Sequence, residues 1–170
     1  MQRRSFIKNA GISAAALAAG SSFSFNKKLS NPLPEWRGFN LLDFFSPDPA
    51  HNHYSTTEEH CKWMQDWGFD FVRIPIAYPC YLDIDRSKNI VADDVYKINN
   101  KAVDDIDKLV QMAHKYNLHA SINLHRAPGY CINAGFYEPF NLWKDEAAQN
   151  AFYFHWSRAT NRMAARRRRT

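Results

Sequence analysis

Cysteine and glycine are scarce in this chain, and acidic residues are missing from both of its ends. Three cysteines occur in 170 residues, Cys61, Cys80 and Cys131. Their spacing matches no metal-ligand pattern, so no metal site is expected. An odd number leaves at least one unpaired within the chain. Cys80 and Cys131 follow strand ends expected to be neighbours, which would permit a bridge in an exported protein, but free thiols are the expectation. Six glycines are present, and none falls in Asp43-Phe44-Phe45-Ser46-Pro47, just after the first predicted strand. A doubly wound nucleotide-binding sheet carries its phosphate turn there. No cofactor is expected. No apolar run approaches the ~20 residues of a membrane span. Acids are missing from residues 1–30, which hold five Lys and Arg, and from residues 158–170, which hold six Arg. These ends take half of the 22 basic residues, leaving eleven against all 17 acids in residues 31–157. The formal charge of +5 therefore conceals a body of net charge −6. A nucleic-acid surface needs its basic groups on the fold, interleaved with aromatics, so nucleic-acid binding is not expected.

What is present begins with an export address. Arg3-Arg4-Ser5-Phe6-Ile7-Lys8 precedes a weakly apolar stretch, Ala10 to Ala19. Residues 1–30 resemble a twin-arginine signal, which sends folded proteins out of the bacterial cytoplasm. An uncleaved anchor or an ordinary secretory signal are the alternatives. The expected location is periplasmic or extracellular, with no stable membrane insertion after signal removal.

The body, residues 31–157, alternates short apolar strands with amphipathic helices. Arg37 to Leu42 reads as the first strand. Thr56 with Glu59 three residues on is a capping-box signature. The helix that follows carries Cys61, Met64 and Trp67 near one face and stops at Gly68. The second strand, Phe71 to Ile74, is expected to end at Pro75, which has no N–H. A long connection, Ala77 to Asn99, follows. Val103, Ile106, Leu109, Val110 and Ala113 then recur at helical spacing, with Asp104, Asp105, Asp107 and Lys108 opposite. Asn117 stops that helix. The third strand spans Ala120 to Leu124, and the last helix Asp145 to Trp156. This order predicts a parallel α/β sheet with helices outside. A barrel is preferred over an open doubly wound sheet. The expected fold is a partial (β/α)8 TIM barrel, about its first three βα units.

Three segments carry the chemistry. They are Arg37-Gly38-Phe39-Asn40, then Trp67-Gly68-Phe69-Asp70-Phe71-Val72-Arg73-Ile74-Pro75, then Asn123-Leu124-His125-Arg126-Ala127-Pro128-Gly129. Together they resemble glycoside hydrolase family 5, the retaining cellulases, mannanases and related β-glycanases, over about Trp36 to Trp156. In barrels, strand C-terminal ends carry the chemistry. A buried guanidinium keeps its charge and must be paired. A structural ion pair with Asp43 is the plain alternative for Arg73. The resemblance implies instead that Arg73 supports the nucleophilic carboxylate, and that His125 lines the subsite of the sugar being cleaved. A lone strand-end histidine is otherwise often a hydrogen-bonded core residue.

Sugars present flat C–H faces, so aromatic platforms suit them. Phe44, Phe45, Tyr78, Tyr81, Tyr130, Phe136, Tyr137 and Trp143 fall on predicted loops, although packing explains most of them equally well. The expected substrate contacts are Asn40, Phe44, Tyr78, Asn133 and Trp143. A retaining glycosidase needs two carboxyl groups ~5–5.5 Å apart. The family places the first in an Asn-Glu pair, and no such dipeptide occurs here. Asp43, Asp83, Asp85 and Glu138 match no catalytic position. Residues 158–170 also depart from the family pattern, which suggests a truncated or frame-shifted product; a genuine basic tail is the alternative. The expectation is a glycosidase acting on a β-linked glycan, present here as a form without its two catalytic Glu and inactive alone. The alternative is a non-catalytic carbohydrate-binding protein or decayed homologue.

Overall fold

Two compact units divide the chain, Met1–Glu35 and Trp36–Thr170. The computed structural model describes residues 34–167 except 49, 51, 54, 86 and 132–136, and side chains only as far as Arg162. The signal-like segment and Asn133 lie outside the described residues. Along the second unit run β1 (Gly38–Asn40), α1 (Glu58–Asp66), β2 (Phe71–Ala77), α2 (Asn100–Lys115), β3 (His119–Arg126) and α3 (Glu146–Arg167). The long connection between β2 and α2 holds two 3-10 helices, Tyr78–Tyr81 and Ala92–Tyr96.

The strands are parallel and lie in chain order, β1-β2-β3. Gly38 stands opposite Phe71 and Asn40 opposite Arg73. Arg73 stands opposite Ser121, and Pro75 opposite Asn123. Val72, Ile74, Ile76 and Ala120 project to one side. They form a single core with Cys61 and Met64 of α1 and Ile106, Leu109, Val110 and Ala113 of α2. Both helices therefore cover the same sheet face. Each large apolar side chain buried there contributes about 1.5–3 kcal/mol. Sequential parallel strands with helices on one side are the repeating unit of a (β/α)8 barrel, and a doubly wound sheet would divide its helices between two faces.

Local chemistry sets the element ends, sometimes one residue from where the pattern puts them. The α1 cap is Thr57, not Thr56. The Thr57 hydroxyl accepts from the His60 amide at 3.4 Å, and His60 Nδ1 accepts from the Thr57 amide at 3.1 Å. Thr56 is committed elsewhere, donating its amide and hydroxyl to Asp43 at 2.6 and 2.7 Å. Gly68 (φ 79°) and Asn117 (φ 56°) end α1 and α2 in the left-handed region, as expected. Trp67 lies past the end of α1 and is exposed rather than packed.

β2 does not stop at Pro75 but continues to Ala77. The Arg73 carbonyl accepts from the Leu41 amide at 2.8 Å, and the Ala77 amide donates to the Phe44 carbonyl at 2.9 Å. Pro75 shares their parity, so its missing N–H points toward β1, which has already ended at Asn40. The strand loses no ladder bond to the proline. β1 itself lies very close to β2. A Cβ at Gly38 would stand 1.5 Å from the Phe71 carbonyl oxygen.

A second core lies under the long connection: Tyr78, Leu82, Ile90, Val95, Cys131 and Ala151. The connection is stitched by Asp83 N–H to the Lys97 carbonyl (2.7 Å) and Asn99 N–H to the Tyr81 carbonyl (2.9 Å). α3 closes this core and runs past Trp156 to Arg167. Its distal half lacks glycine and proline and is rich in alanine and arginine, both good helix formers. Arg162 pairs with Asp104 and Asp107 of α2. That contact explains why Asp107, expected on the solvent face, is buried. A cavity of about 380 Å³ remains between α3, α2 and the sheet, lined by Ile106, Ile122, Leu124 and His155 among others. The three cysteines are free thiols.

His155 is 3% exposed and meets the Tyr78 ring at a tilt and the Tyr81 ring edge-on. Its Nδ1 lies 3.0 Å from the Tyr81 hydroxyl, and its Nε2 faces the Val95 carbonyl without closing a well-formed hydrogen bond. Burial, chiefly, holds it neutral, down to about 4. An unfolded histidine takes up its proton near pH 6.5, so the unfolded state binds more protons between those values. Stability should therefore fall as pH drops from about 6.5 to about 4, by about 3 kcal/mol from this residue. Urea titrations across that range should show the loss, and His155→Phe should flatten it. A second expected outcome concerns Gly38: Gly38→Ala should cost about 1–3 kcal/mol through overlap with β2. Urea unfolding measures that cost, and hydrogen exchange at the Leu41 amide should accelerate in the folded variant.

Candidate functional site

Strand alternation sends Val72, Ile74 and Ile76 into the helix-covered core, so Arg73 takes the opposite face. Asn40 from β1 and Asn123 and His125 from β3 meet it there. Arg73 donates to Asn40 Oδ1 at 3.3 Å and to Asn123 Oδ1 at 2.5 Å. It also lies 3.4 Å from Nδ1 of His125. The guanidinium is thus held by neutral acceptors from both neighbouring strands. Asp43 is not its partner; the Asp43 oxygens accept instead from the Thr56 amide and hydroxyl. No ion pair links Arg73 to a carboxylate among the described residues.

The imidazole of His125 sits below its ordinary pKa, first through burial and then through the positive charges of Arg126 and Arg73. A neutral ring lets Nδ1 accept from Arg73 and places the ring proton on Nε2, where it can be donated. Phe45 fixes the ring's orientation. Its face stacks on His125 with centroids 5.2 Å apart. The guanidinium of Arg126 lies 4.0 Å over the same phenyl ring and donates to the Phe45 carbonyl. The loop bearing Phe44 and Phe45 is pinned in turn. The Cys80 thiol donates to the Ser46 carbonyl at 2.8 Å, and the Ser46 amide to Asn52 at 2.7 Å.

The other expected contacts divide. Asn40 joins the cluster. Trp143 is 75% exposed and meets Tyr130 edge-to-face at 6.2 Å. Tyr78, expected to face substrate, is wholly buried in the second core and offers no face to a solute. Phe44, also expected as a contact, packs against the helix-side core because its carbonyl must meet Ala77 on β2. Asn133 lies outside the described residues. Two side chains of this cluster were not among the expected contacts. Asn123 carried a usable signal, since Asn123 and His125 are two apart and so share one strand face. Phe45 did not, since only the folded loop shows which phenylalanine turns to the histidine. Glu138 is occupied structurally, accepting from the Gly129 and Cys131 amides at 3.1 and 3.0 Å.

The pattern described as Cellulase (glycosyl hydrolase family 5) matches residues 24–167. Cellodextrinase A of Ruminococcus flavefaciens is 32% identical over 106 residues, covering 62% of this chain and 28% of that protein. Endoglucanase C of Acetivibrio thermocellus is 29% identical over 106 residues, 61% of this chain and 28% of its own length. A crystal structure described as a glycoside hydrolase superposes with a TM-score of 0.59 at 30% identity, covering 71% of this chain and 35% of that one. The chain thus spans about a third or less of the proteins it matches. Its three sequential βα units are part of the (β/α)8 barrel of these relatives, and the chain belongs to glycosyl hydrolase family 5, the cellulase family.

Proposed function

We propose that this chain supplies the Arg73–His125 wall of a β-glucan-binding cleft, and that both catalytic carboxyl groups come from outside these 170 residues. The observation that carries the reading is the meeting of Asn40, Arg73, Asn123 and His125 on the sheet face that none of the described helices covers. Arg73 cannot shed its charge, and its partners here are neutral. A carboxylate brought within ~4–6 Å of it would have its pKa lowered by about one to three units. That is the service a retaining glycosidase needs for its nucleophile, which must stay ionised while a second carboxyl ~5–5.5 Å away handles the proton. His125, neutral with hydrogen on Nε2, is suited to donate to a sugar hydroxyl.

The substrate class is supported by the relatives, a cellodextrinase and an endoglucanase, together with the exposed Tyr130–Trp143 pair, whose rings suit a sugar's C–H face. Export through the paired-arginine segment, Arg3-Arg4, is part of the same proposal. The exposed aromatic pair also favours a second reading, glycan binding without cleavage.

The purified chain is expected to bind cellotetraose saturably by calorimetry and to show no turnover of aryl β-glucosides or soluble β-glucan. His125→Ala should weaken binding about tenfold, the size of one lost hydrogen bond with its burial cost. Hydrolysis by the chain that His125→Ala abolishes would overturn the claim that both carboxyl groups lie elsewhere. Absence of any glycan binding would overturn the cleft. Because His125 is held below its ordinary pKa of 6.5, its neutral form persists as pH falls through 6.5. Affinity should therefore be level from pH 8 to 6.5 and decline only at more acid pH, where protonation would set the ring against Arg73.

A further inference from the structure

Glu138 is a partly buried carboxylate that lies outside the Arg73 cluster. Its two oxygens accept from the amides of Gly129 and Cys131 at 3.1 and 3.0 Å. Those amides flank Tyr130 on either side. Gly129 has φ 76°, and the turn presents its N–H groups as a backbone nest for an anion. The same glycine is stitched on its other side, where its carbonyl accepts from the Leu142 amide at 3.1 Å. Leu142 precedes Trp143, whose amide donates to Asn141 Oδ1 at 3.0 Å. A Cβ on Gly129 would stand 2.4 Å from the Leu142 nitrogen, so the two backbones are nearly in contact. Tyr130 N–H also closes onto the Ala127 carbonyl at 2.9 Å. One carboxylate therefore grips both neighbours of Tyr130, and the gripped residue holds the segment that bears Trp143.

We propose that Glu138 is a positioning residue for an aromatic glucan platform made of Tyr130 and Trp143. The proposal rests on the glycan-binding reading above for what the platform receives. A sugar ring stacking on the pair gains from rings held in place beforehand, because rings that must be ordered on binding subtract that entropy from the affinity. Charge-assisted hydrogen bonds from two amides are strong enough to do this. The groups facing Glu138 are the Tyr78 hydroxyl and the Cys131 thiol, and the positive charge of Arg126 also acts on Cys131. Burial, chiefly, raises the Glu138 carboxyl above its usual range. Tyr78 is fully buried, and its hydroxyl makes no well-formed hydrogen bond.

The test uses the full chain, cellotetraose calorimetry and amide exchange by NMR. Glu138→Ala should weaken cellotetraose about tenfold and speed exchange at the Gly129 and Cys131 amides at least as much, while the Leu41 amide in β1–β2 is unchanged. Sodium acetate should restore both affinity and protection by placing a carboxylate in the nest. Trp143→Ala should cost a similar factor, and the double variant little more than either single change, since both act through one platform. Additive losses in the double variant, or unaltered protection at both amides, would overturn the proposal. Should Glu138→Ala not fold, Glu138→Gln keeps the shape but replaces one acceptor oxygen with a donor. Faster exchange at one of the two amides is then expected, and equal protection at both overturns the proposal. A wild-type chain that binds no cellotetraose sinks the glycan reading itself. A wild-type chain that binds, with Glu138→Ala binding equally well, sinks only the role of Glu138.

Discussion

A permanent positive charge on the sheet face opposite the described helices is the constraint around which this fold is arranged. Arg73 sits in the central strand, where a guanidinium must be compensated. The compensation is made of amide oxygens, one from each neighbouring strand, and an imidazole nitrogen. Neutral acceptors satisfy the N–H groups without cancelling the charge. The strand pairing is therefore part of the site. Asn40 reaches Arg73 because Gly38 lets β1 close onto Phe71, and Asn123 reaches it because β3 runs two residues beyond the Ser121 register.

The same charge acts on His125. With Arg73 and Arg126 close by, protonating the ring would add a third cation, and burial opposes it further. The ring is thereby kept as a neutral donor through Nε2. Phe45 serves both neighbours at once, giving a flat surface to the imidazole and a π face to Arg126. The first loop of the chain is thus fastened to the end of the third strand, and the loop's position depends on the charge it partly shields.

Much of this was legible in the sequence, and the reasons differ by element. β2 and β3 announced themselves as apolar runs, and α2 as a 3.6-residue stripe, because these patterns follow directly from which face is buried. The pairing of Arg73 with His125 was legible because alternation puts strand-end residues of neighbouring parallel strands on one face. The loops were not. Tyr78 and Phe44 had the composition of sugar contacts, yet both were drawn inward by packing and backbone hydrogen bonds that sequence spacing does not encode. Pro75 misled for a related reason. A proline ends a strand only where its N–H would have met a partner, and that depends on where β1 stops. The extension of α3 to Arg167 was hidden because residues 158–167 show no apolar stripe, and helix propensity with the Arg162 contact to α2 carries it instead.

The sheet separates two tasks by face. Helix-side residues such as Val72, Ile74 and Ala120 supply burial, and their substitution would act on stability. The opposite face carries polar groups that bond chiefly to one another, which orders them without a large apolar contribution. Stability and site geometry are therefore coupled mainly through backbone register. A change on the helix side that leaves the register intact should leave the Arg73 cluster in place, whereas a one-residue slip would turn Arg73 into the core and an isoleucine or valine toward the opposite face. The close approach at Gly38 guards against that slip, since only a residue without a Cβ fits against the Phe71 carbonyl. The smallest side chain in β1 thus secures the orientation of the largest charge in β2.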